Sequence, residues 1–125
     1  MGLESGEVPY TTFMMRKDTI ENEPGFAAAF VRAIYRAQKW VWAAGDEEVA
    51  YAMQSYFPDT DIATLSAVAK SYRATDSWTK VPTMTEDAFT RLQDILDGAG
   101  ELAARIELSE LVDNSFGEAA ISEIG

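Results

Sequence analysis

The 125-residue sequence contains no cysteine and no histidine, and both absences restrict its chemistry. Without cysteine the chain forms no disulfide and offers no thiolate nucleophile. Without histidine it lacks the side chain that most often acts as a general base near neutral pH and most often binds a metal. A glycine-rich phosphate loop, a nucleophile elbow and metal-ligand spacings are missing from the sequence as well. We therefore predict that the protein is not an enzyme, has no catalytic residue and holds neither a metal nor a cofactor.

Basic residues are scarce. Ten Lys and Arg residues stand against twenty-one Asp and Glu residues, which leaves a formal net charge of −11. Because nucleic acids and anionic membrane surfaces are themselves negative, this charge argues against both as partners. No apolar run approaches the roughly 18 residues of a membrane span. The opening MGLESGEVPY lacks the basic and apolar regions of a signal peptide, so we predict that this chain has none.

One long apolar helix is predicted over residues 24–44, PGFAAAFVRAIYRAQKWVWAA. Apolar residues recur in it at steps of three and four, which places them on one helix face: Phe26, Phe30, Ile34, Ala37 and Val41. A second flank widens this face with Val31, Tyr35 and Trp42. Pro24 suits the first helical position, and Gly45 is predicted to be the left-handed residue that ends the helix.

A single β-strand is predicted over residues 8–16, VPYTTFMMR, which are rich in β-branched and aromatic residues. Val8, Tyr10 and Met14 lie on one side of such a strand, and Phe13 and Met15 lie on the other. A strand that is apolar on both sides is typical of the interior of a sheet, but no second strand of similar quality follows. We therefore predict that the isolated chain forms a homo-oligomer through residues 8–16, by antiparallel pairing about a two-fold axis.

Further helical segments are predicted at residues 47–57, 62–73, 86–97 and 116–124, with a short turn of helix at 109–112. Asp46, Asp61 and Thr85 precede three of them and are predicted N-caps. Gly98 and Gly100 are predicted to end the helix that starts at residue 86. The fold class is thus mainly α, and residues 1–125 are predicted to form a single unit of four to six helices with one amino-terminal strand.

A polar loop over residues 74–84 contains Trp78. Aromatic residues in loops often contact a ligand or a partner, but this one can also fill the end of a helix pair. The sequence leaves these two alternatives open.

Several phrases, taken in order along the chain, resemble one known family: YTTFMMR (10–16), IENEP (20–24), YFPDTD (56–61), LVD (111–113) and SF (115–116). They are similar to the carboxy-terminal part of the extracytoplasmic solute-binding proteins that serve ABC importers, of the nitrate, sulfonate and taurine and thiamine-pyrimidine-precursor type. The resemblance extends over about residues 9–117. It implies an α/β type II periplasmic-binding-protein fold with two lobes, of which this chain supplies the carboxy-terminal part of one.

This resemblance implies that the parent protein lies in the periplasm or elsewhere outside the cytoplasm. There it would capture a small organic molecule, such as a sulfonate, a nitrate- or taurine-like compound or a pyrimidine, and deliver it to an ABC permease. Tyr10 and Thr11, near the lobe boundary of the family, are the two candidate ligand contacts that it suggests. The alternative function is a self-standing helical protein-interaction module that buries its strand against a partner.

Overall fold

A computed structural model describes residues 6–125. Along them the chain forms α1 (Lys17–Asn22), α2 (Pro24–Ala43), α3 (Asp46–Met53), a 3-10 helix (Gln54–Tyr56), α4 (Ile62–Ala74), α5 (Glu86–Gly98), α6 (Leu108–Leu111) and α7 (Ser115–Ile124). The prediction of a mainly α fold is confirmed. The predicted count of four to six helices was too low, because α1 forms in addition; α6 corresponds to the helical turn predicted at 109–112. The prediction that no signal peptide is present rests partly on residues 1–5, which lie outside the described range.

The predicted amino-terminal strand is wrong. Residues 8–16, which we call the arm, form neither a helix nor a strand and bend at Thr11, and no β-strand occurs anywhere in residues 6–125. A strand exists only where a second backbone supplies hydrogen bonds, and the arm has no such neighbour within that range. The arm ends at Arg16, whose backbone is still extended with φ −68° and ψ 145°, and α1 follows directly.

Most helix ends follow local sequence signals. Pro24 occupies the start of α2 as predicted. The side chains of Asp61 and Thr85 cap α4 and α5, since Asp61 accepts a hydrogen bond from the Thr64 amide (2.8 Å) and Thr85 accepts one from the Ala88 amide (3.2 Å). These three predictions depend on residues within one helical turn of each other, which is why they could be made without the tertiary structure.

The end of α5 is also local. Gly100 has φ +74°, in the left-handed region where only glycine is free of strain. The Glu101 amide donates to the Leu96 carbonyl (2.9 Å) and the Gly100 amide donates to the Asp97 carbonyl (2.9 Å), which together make a Schellman motif. The predicted helix stop at Gly98 and Gly100 is therefore confirmed.

The junction between α2 and α3 differs from the prediction. Gly45 has φ −71° and ψ 159°, so it is extended and not left-handed, and it is the N-cap of α3 in place of Asp46. Ala44 is extended as well, with φ −71° and ψ 154°. Two successive extended residues redirect the chain here and let Ala44 enter the core, where it is buried against Val49 and Ala69.

The buried face of α2 is rotated relative to the predicted one. Ala27 and Tyr35 are the buried residues of α2, whereas Phe26 remains 54% exposed. Helix α7 packs on α2 and contributes the small buried residues Gly117 and Ala120. The buried side of α2 is therefore the flank that contains Tyr35, and Phe26 lies outside it.

The centre of the core lies between α3 and α4, which pack closely against each other. Its buried residues are small or β-branched, and Met53 and Trp78 cover them. The Trp42 indole N–H donates to the carbonyl of Trp78 (3.1 Å), and the ring of Trp78 meets that of Tyr72 edge to face at 5.2 Å. Trp78 therefore fills the end of a helix pair, which was one of its two predicted roles.

Candidate functional site

The arm is the candidate functional site, because it presents both apolar side chains and a backbone without hydrogen-bond partners among residues 6–125. Three contacts hold it on the helical body. The Arg91 guanidinium donates to the carbonyl of Glu7 (2.6 Å), which attaches the start of the arm to α5. The ring of Phe13 meets that of Phe30 on α2 edge to face at 5.2 Å.

The third contact lies at the end of the arm. Arg16 donates from Nε and Nη2 to the two carboxylate oxygens of Asp18, at 2.9 and 2.7 Å, in the two-pronged geometry that arginine favours. This hydrogen bonding lowers the pKa of Asp18 and raises the pKa of Arg16. Both side chains are exposed, so the pair orients the turn into α1 and adds little stability.

The arm exposes most of its large apolar side chains. Phe13 contacts Phe30 on α2 but is still 72% exposed, and Met15 is half-buried. Tyr10 and Met14 are 97% and 88% exposed. A soluble protein seldom leaves large apolar side chains so exposed next to each other unless the surface binds something.

The backbone of the arm is equally unsatisfied. In the part of the chain that the structure describes, no backbone amide or carbonyl of residues 8–15 takes part in a hydrogen bond. Backbone groups without partners among the described residues are available to bond another chain.

Tyr10 and Thr11, the predicted ligand contacts, both lie on the arm. They are consecutive residues at a bend in the arm, and both are exposed. The structure does not bring them together with a second polar group of the described chain. A role for them in ligand binding stays a prediction.

Two shallow depressions lie elsewhere on the surface. One lies along α5 and is lined by Asp87, Thr90, Arg91 and Asp94. The other lies between the starts of α3 and α4 and is lined by Glu47, Ile62, Ala63 and Ser66. Within residues 6–125 no group of three or more acidic side chains converges in a way that could hold a metal ion.

Two buried amide contacts were not predicted from the sequence. Gln93 on α5, which is 7% exposed, donates to the Ile106 carbonyl (3.1 Å) and accepts from the Ile106 amide (2.9 Å). Asn114 does the same with Met84, at 2.8 and 2.9 Å. Each amide side chain thus forms the two hydrogen bonds that a residue of a neighbouring strand would form in a sheet. For Gln93 a sequence signal existed, because it lies four residues after Phe89 on the apolar face of α5.

No helix among the described residues is both long and apolar enough to cross a membrane.

Comparison with known proteins gives one informative match. A protein of Bacillus subtilis (strain 168), named "Putative binding protein YtlA", is 35% identical to this chain over 122 residues. The match covers 98% of this chain and 36% of the relative, so the chain spans about a third of the length of the curated protein it matches. No protein-family model matches the chain, and no solved structure matches it. The relative supports a binding role in general terms, since its name specifies no ligand and no permease.

Proposed function

We propose that the chain is part of a solute-binding protein of the ABC-importer type. In this proposal the whole protein acts outside the cytoplasm, captures a small organic molecule such as a sulfonate, a nitrate- or taurine-like compound or a pyrimidine, and delivers it to an ABC permease without catalysis. The observation on which the proposal rests is the match of nearly the whole chain to about a third of a protein named as a binding protein.

The surface of the chain is consistent with a part of a larger protein. Its accessible area is 8965 Å² for a mass of 13.8 kDa. A compact monomer of that mass exposes about 6,600 Å². Exposed aromatic residues away from the arm contribute to the excess, including Tyr51 on α3 (59% exposed) and Tyr56 at the end of the 3-10 helix (81% exposed).

The YFPDTD phrase, on which the family resemblance partly depends, has a structural role in this chain. It connects the 3-10 helix to α4, with the Thr60 amide donating to the Phe57 carbonyl (3.0 Å) and Asp61 capping α4. The phrase therefore supports a shared local fold. The ligand class comes from the resemblance alone.

A chimera tests the proposal. The segment of the Bacillus subtilis relative that matches this chain is replaced by residues 1–125, and chimera and relative are compared in thermal-shift and calorimetric titrations with taurine, other sulfonates, nitrate and pyrimidine precursors. We expect the same compounds to stabilise both proteins, because the exchanged part folds in the same way. A folded chimera that binds nothing, beside a relative that does bind, would contradict the proposal. Failure of both proteins to bind any of these compounds would contradict the proposed ligand class.

A second candidate function is a self-standing helical protein-interaction module. The observation that favours it is the exposed arm, whose backbone has no hydrogen-bond partner among residues 6–125 and is available to another protein. The reading frame upstream of the Met1 codon distinguishes the two candidates. An in-frame lobe preceded by a signal peptide would favour the solute-binding protein, and a start codon at Met1 with its own ribosome-binding site would favour the module.

A further inference from the structure

We propose that the outward side of α2 is the interface through which this chain packs on the remaining part of a longer protein, and that the surface covering it is apolar. The proposal goes beyond the proposed function and rests on it only in taking the chain to be part of a longer protein. It starts from a line of exposed apolar residues along α2, which we call the α2 stripe: Phe26, Ala29, Ala33, Ala37 and Trp40.

The α2 stripe extends over most of the helix. Its members follow one another at steps of three, four, four and three residues, which keeps them on one side of a helix. All five are exposed, and the aromatic residues at the two ends are 54% (Phe26) and 41% (Trp40) exposed. The three alanines between them leave room for another element to approach closely.

Helix α2 is therefore apolar on two sides. Its buried residues, Ala27 and Tyr35, lie on the side opposite the α2 stripe, because successive residues of a helix are turned by about 100°. A helix that is apolar on opposite sides is typical of one that is packed on both. The described chain covers only the side of Ala27 and Tyr35.

The exposed side of α4 is different. Ala67 on α4 is also exposed, but Thr64, Lys70 and Ser71 surround it at steps of three and four residues, and water solvates such side chains well. At the same steps Ala33 has two alanines and a phenylalanine among its four neighbours. Exposure of a helix in this chain therefore does not by itself produce an apolar line.

The apolar surface continues beside the α2 stripe onto the arm. The ring of Phe30 lies 6.5 Å from that of Phe26, and the ring of Phe13 lies 5.2 Å from that of Phe30. Phe13 is 72% exposed. An apolar patch of this kind marks a surface that another part of a protein covers.

The length of the related protein indicates what covers the α2 stripe. The match takes up 98% of this chain but only 36% of the relative, so nearly two-thirds of the relative lies outside it. In a protein of that length the additional part is tethered to this one, which keeps it at a high effective concentration. A tethered neighbour therefore covers the patch at a smaller entropic cost than a separate protein does.

A second copy of the chain fits the α2 stripe less well, because of charge. Helix α2 contains three basic residues and no acidic one, and Arg32, Arg36 and Lys39 all lie along one side of the stripe. Antiparallel pairing of two stripes about a two-fold axis would bring the basic side of one α2 against the basic side of the other. Each copy also has a net charge of −11, so two copies repel each other as a whole.

An introduced cysteine measures whether the α2 stripe is covered, because the chain contains none. Ala33→Cys changes the centre of the stripe, and Ala67→Cys is the matched control, since both replace an exposed helical alanine. Each variant is made in the 125-residue chain and in the chimera with the Bacillus subtilis relative, beside a chimera without the new cysteine that gives the background. The rate of reaction with a maleimide is then measured.

We expect the thiol of Ala33→Cys to react at least about tenfold more slowly in the chimera than in the isolated chain, because a covered thiol reacts only when the interface opens. The thiol of Ala67→Cys should react equally fast in both. An Ala33→Cys thiol that reacts as fast in the chimera as in the isolated chain would overturn the proposal, and so would an equal slowing of the two variants.

Two further outcomes are distinguished. If Ala33→Cys, but not Ala67→Cys, reacts more slowly as the isolated chain is concentrated, a second copy covers the α2 stripe and the proposed occupant is wrong. Where the chimera does not fold, the same two substitutions at the aligned positions of the full-length relative give the answer. A protected Ala33→Cys thiol in a chimera that binds no test compound would contradict the proposed function and support this interface.

Discussion

The α3–α4 hairpin and the arm are both rich in apolar residues, but only the hairpin covers them. In the hairpin, Val49, Ala50, Leu65 and Ala69 are each no more than 4% exposed. Its backbone is satisfied by the helices themselves, and Asp61 caps α4. The arm leaves its outer side chains in water and its amides and carbonyls unpaired within the described chain. A helix supplies its own hydrogen bonds, whereas an extended segment depends entirely on a neighbour.

Lying outside a helix does not by itself leave a backbone without hydrogen-bond partners. Met84 and Ile106 also lie outside the helices, and for each of them both the amide and the carbonyl are bonded by one amide side chain, that of Asn114 or Gln93. At these two positions an amide side chain thus supplies the hydrogen bonds of a residue that lies outside the helices. No such contact occurs along the described arm, which is why we treat the arm as the candidate site.

The largest expected effect comes from emptying the hairpin core. Leu65→Ala should lower the free energy of unfolding by about 2–5 kcal/mol, because Leu65 is 4% exposed and the cavity would refill only in part. The matched control is Met14→Ala on the arm, which should stay within about 0.5 kcal/mol in the monomer, since Met14 is 88% exposed. Urea denaturation measures both. Similar losses for the two variants would show that the arm belongs to the folded core.

Removing the Gln93 side-chain amide, which bonds the Ile106 backbone, should have the next largest effect. Gln93→Met keeps the size of the side chain but leaves the Ile106 amide and carbonyl without their partner, at a cost of about 1–3 kcal/mol. Gln54→Met, on the exposed 3-10 helix, is the control and should be nearly neutral. Hydrogen exchange at the Ile106 amide should accelerate only in the first variant. If the Ile106 amide exchanges at its original rate in Gln93→Met, the Gln93 side chain does not protect the loop.

A small gain is expected at the end of α4. Asp76 has φ +52°, which is unfavourable for a residue with a side chain, and its amide and that of Ser77 complete a Schellman motif with the carbonyls of Arg73 and Tyr72. Asp76→Gly should therefore raise the free energy of unfolding by about 0.5–1 kcal/mol. Asp59→Gly, where the backbone is not left-handed, should give no gain. Thermal unfolding compares the two variants, and a lower stability of Asp76→Gly would mean that the Asp76 carboxylate makes a stabilising contact.

The smallest expected effect is a change in acid sensitivity at the start of α4. The hydrogen bond from the Thr64 amide lowers the pKa of Asp61 in the folded chain. Asp61 therefore contributes stability above the ordinary carboxyl pKa, near 4, and loses that contribution as the pH falls through its lowered folded pKa. Asp61→Ala should flatten the fall in Tm between about pH 5 and pH 2. Asp59→Ala, which removes no helix cap from the described structure, should leave the slope of that fall unchanged.

The sequence predicted what depends on neighbours along the chain, but not which face of α2 would be buried. Phe26, Phe30 and Ile34 and the flank with Tyr35 form one continuous apolar stripe, and periodicity alone cannot rank its two halves. The packing of α7 on α2 decides between them. A Cβ at position 117 would lie 2.5 Å from the Pro82 carbonyl oxygen, so the close contact with the loop before α5 requires glycine there.

The sequence singled out residues 8–16, but it did not predict their structure. Residues 8–16 were identified from their β-branched and aromatic content, which is a property of the segment itself. Whether such a segment becomes a strand depends on a second backbone, and a sequence does not show where that backbone comes from.

The sequence by itself determined the helical class, the start of α2 and the caps of α4 and α5, because each of these depends on hydrogen bonds between residues a few positions apart. Only the tertiary structure decided which side of α2 is buried, that Gln93 and Asn114 hold loops, and that the arm lies exposed on the surface and forms no strand with any described residue. Those outcomes depend on which segments, distant in the chain, come into contact. A propensity or a period contains no information about such contacts.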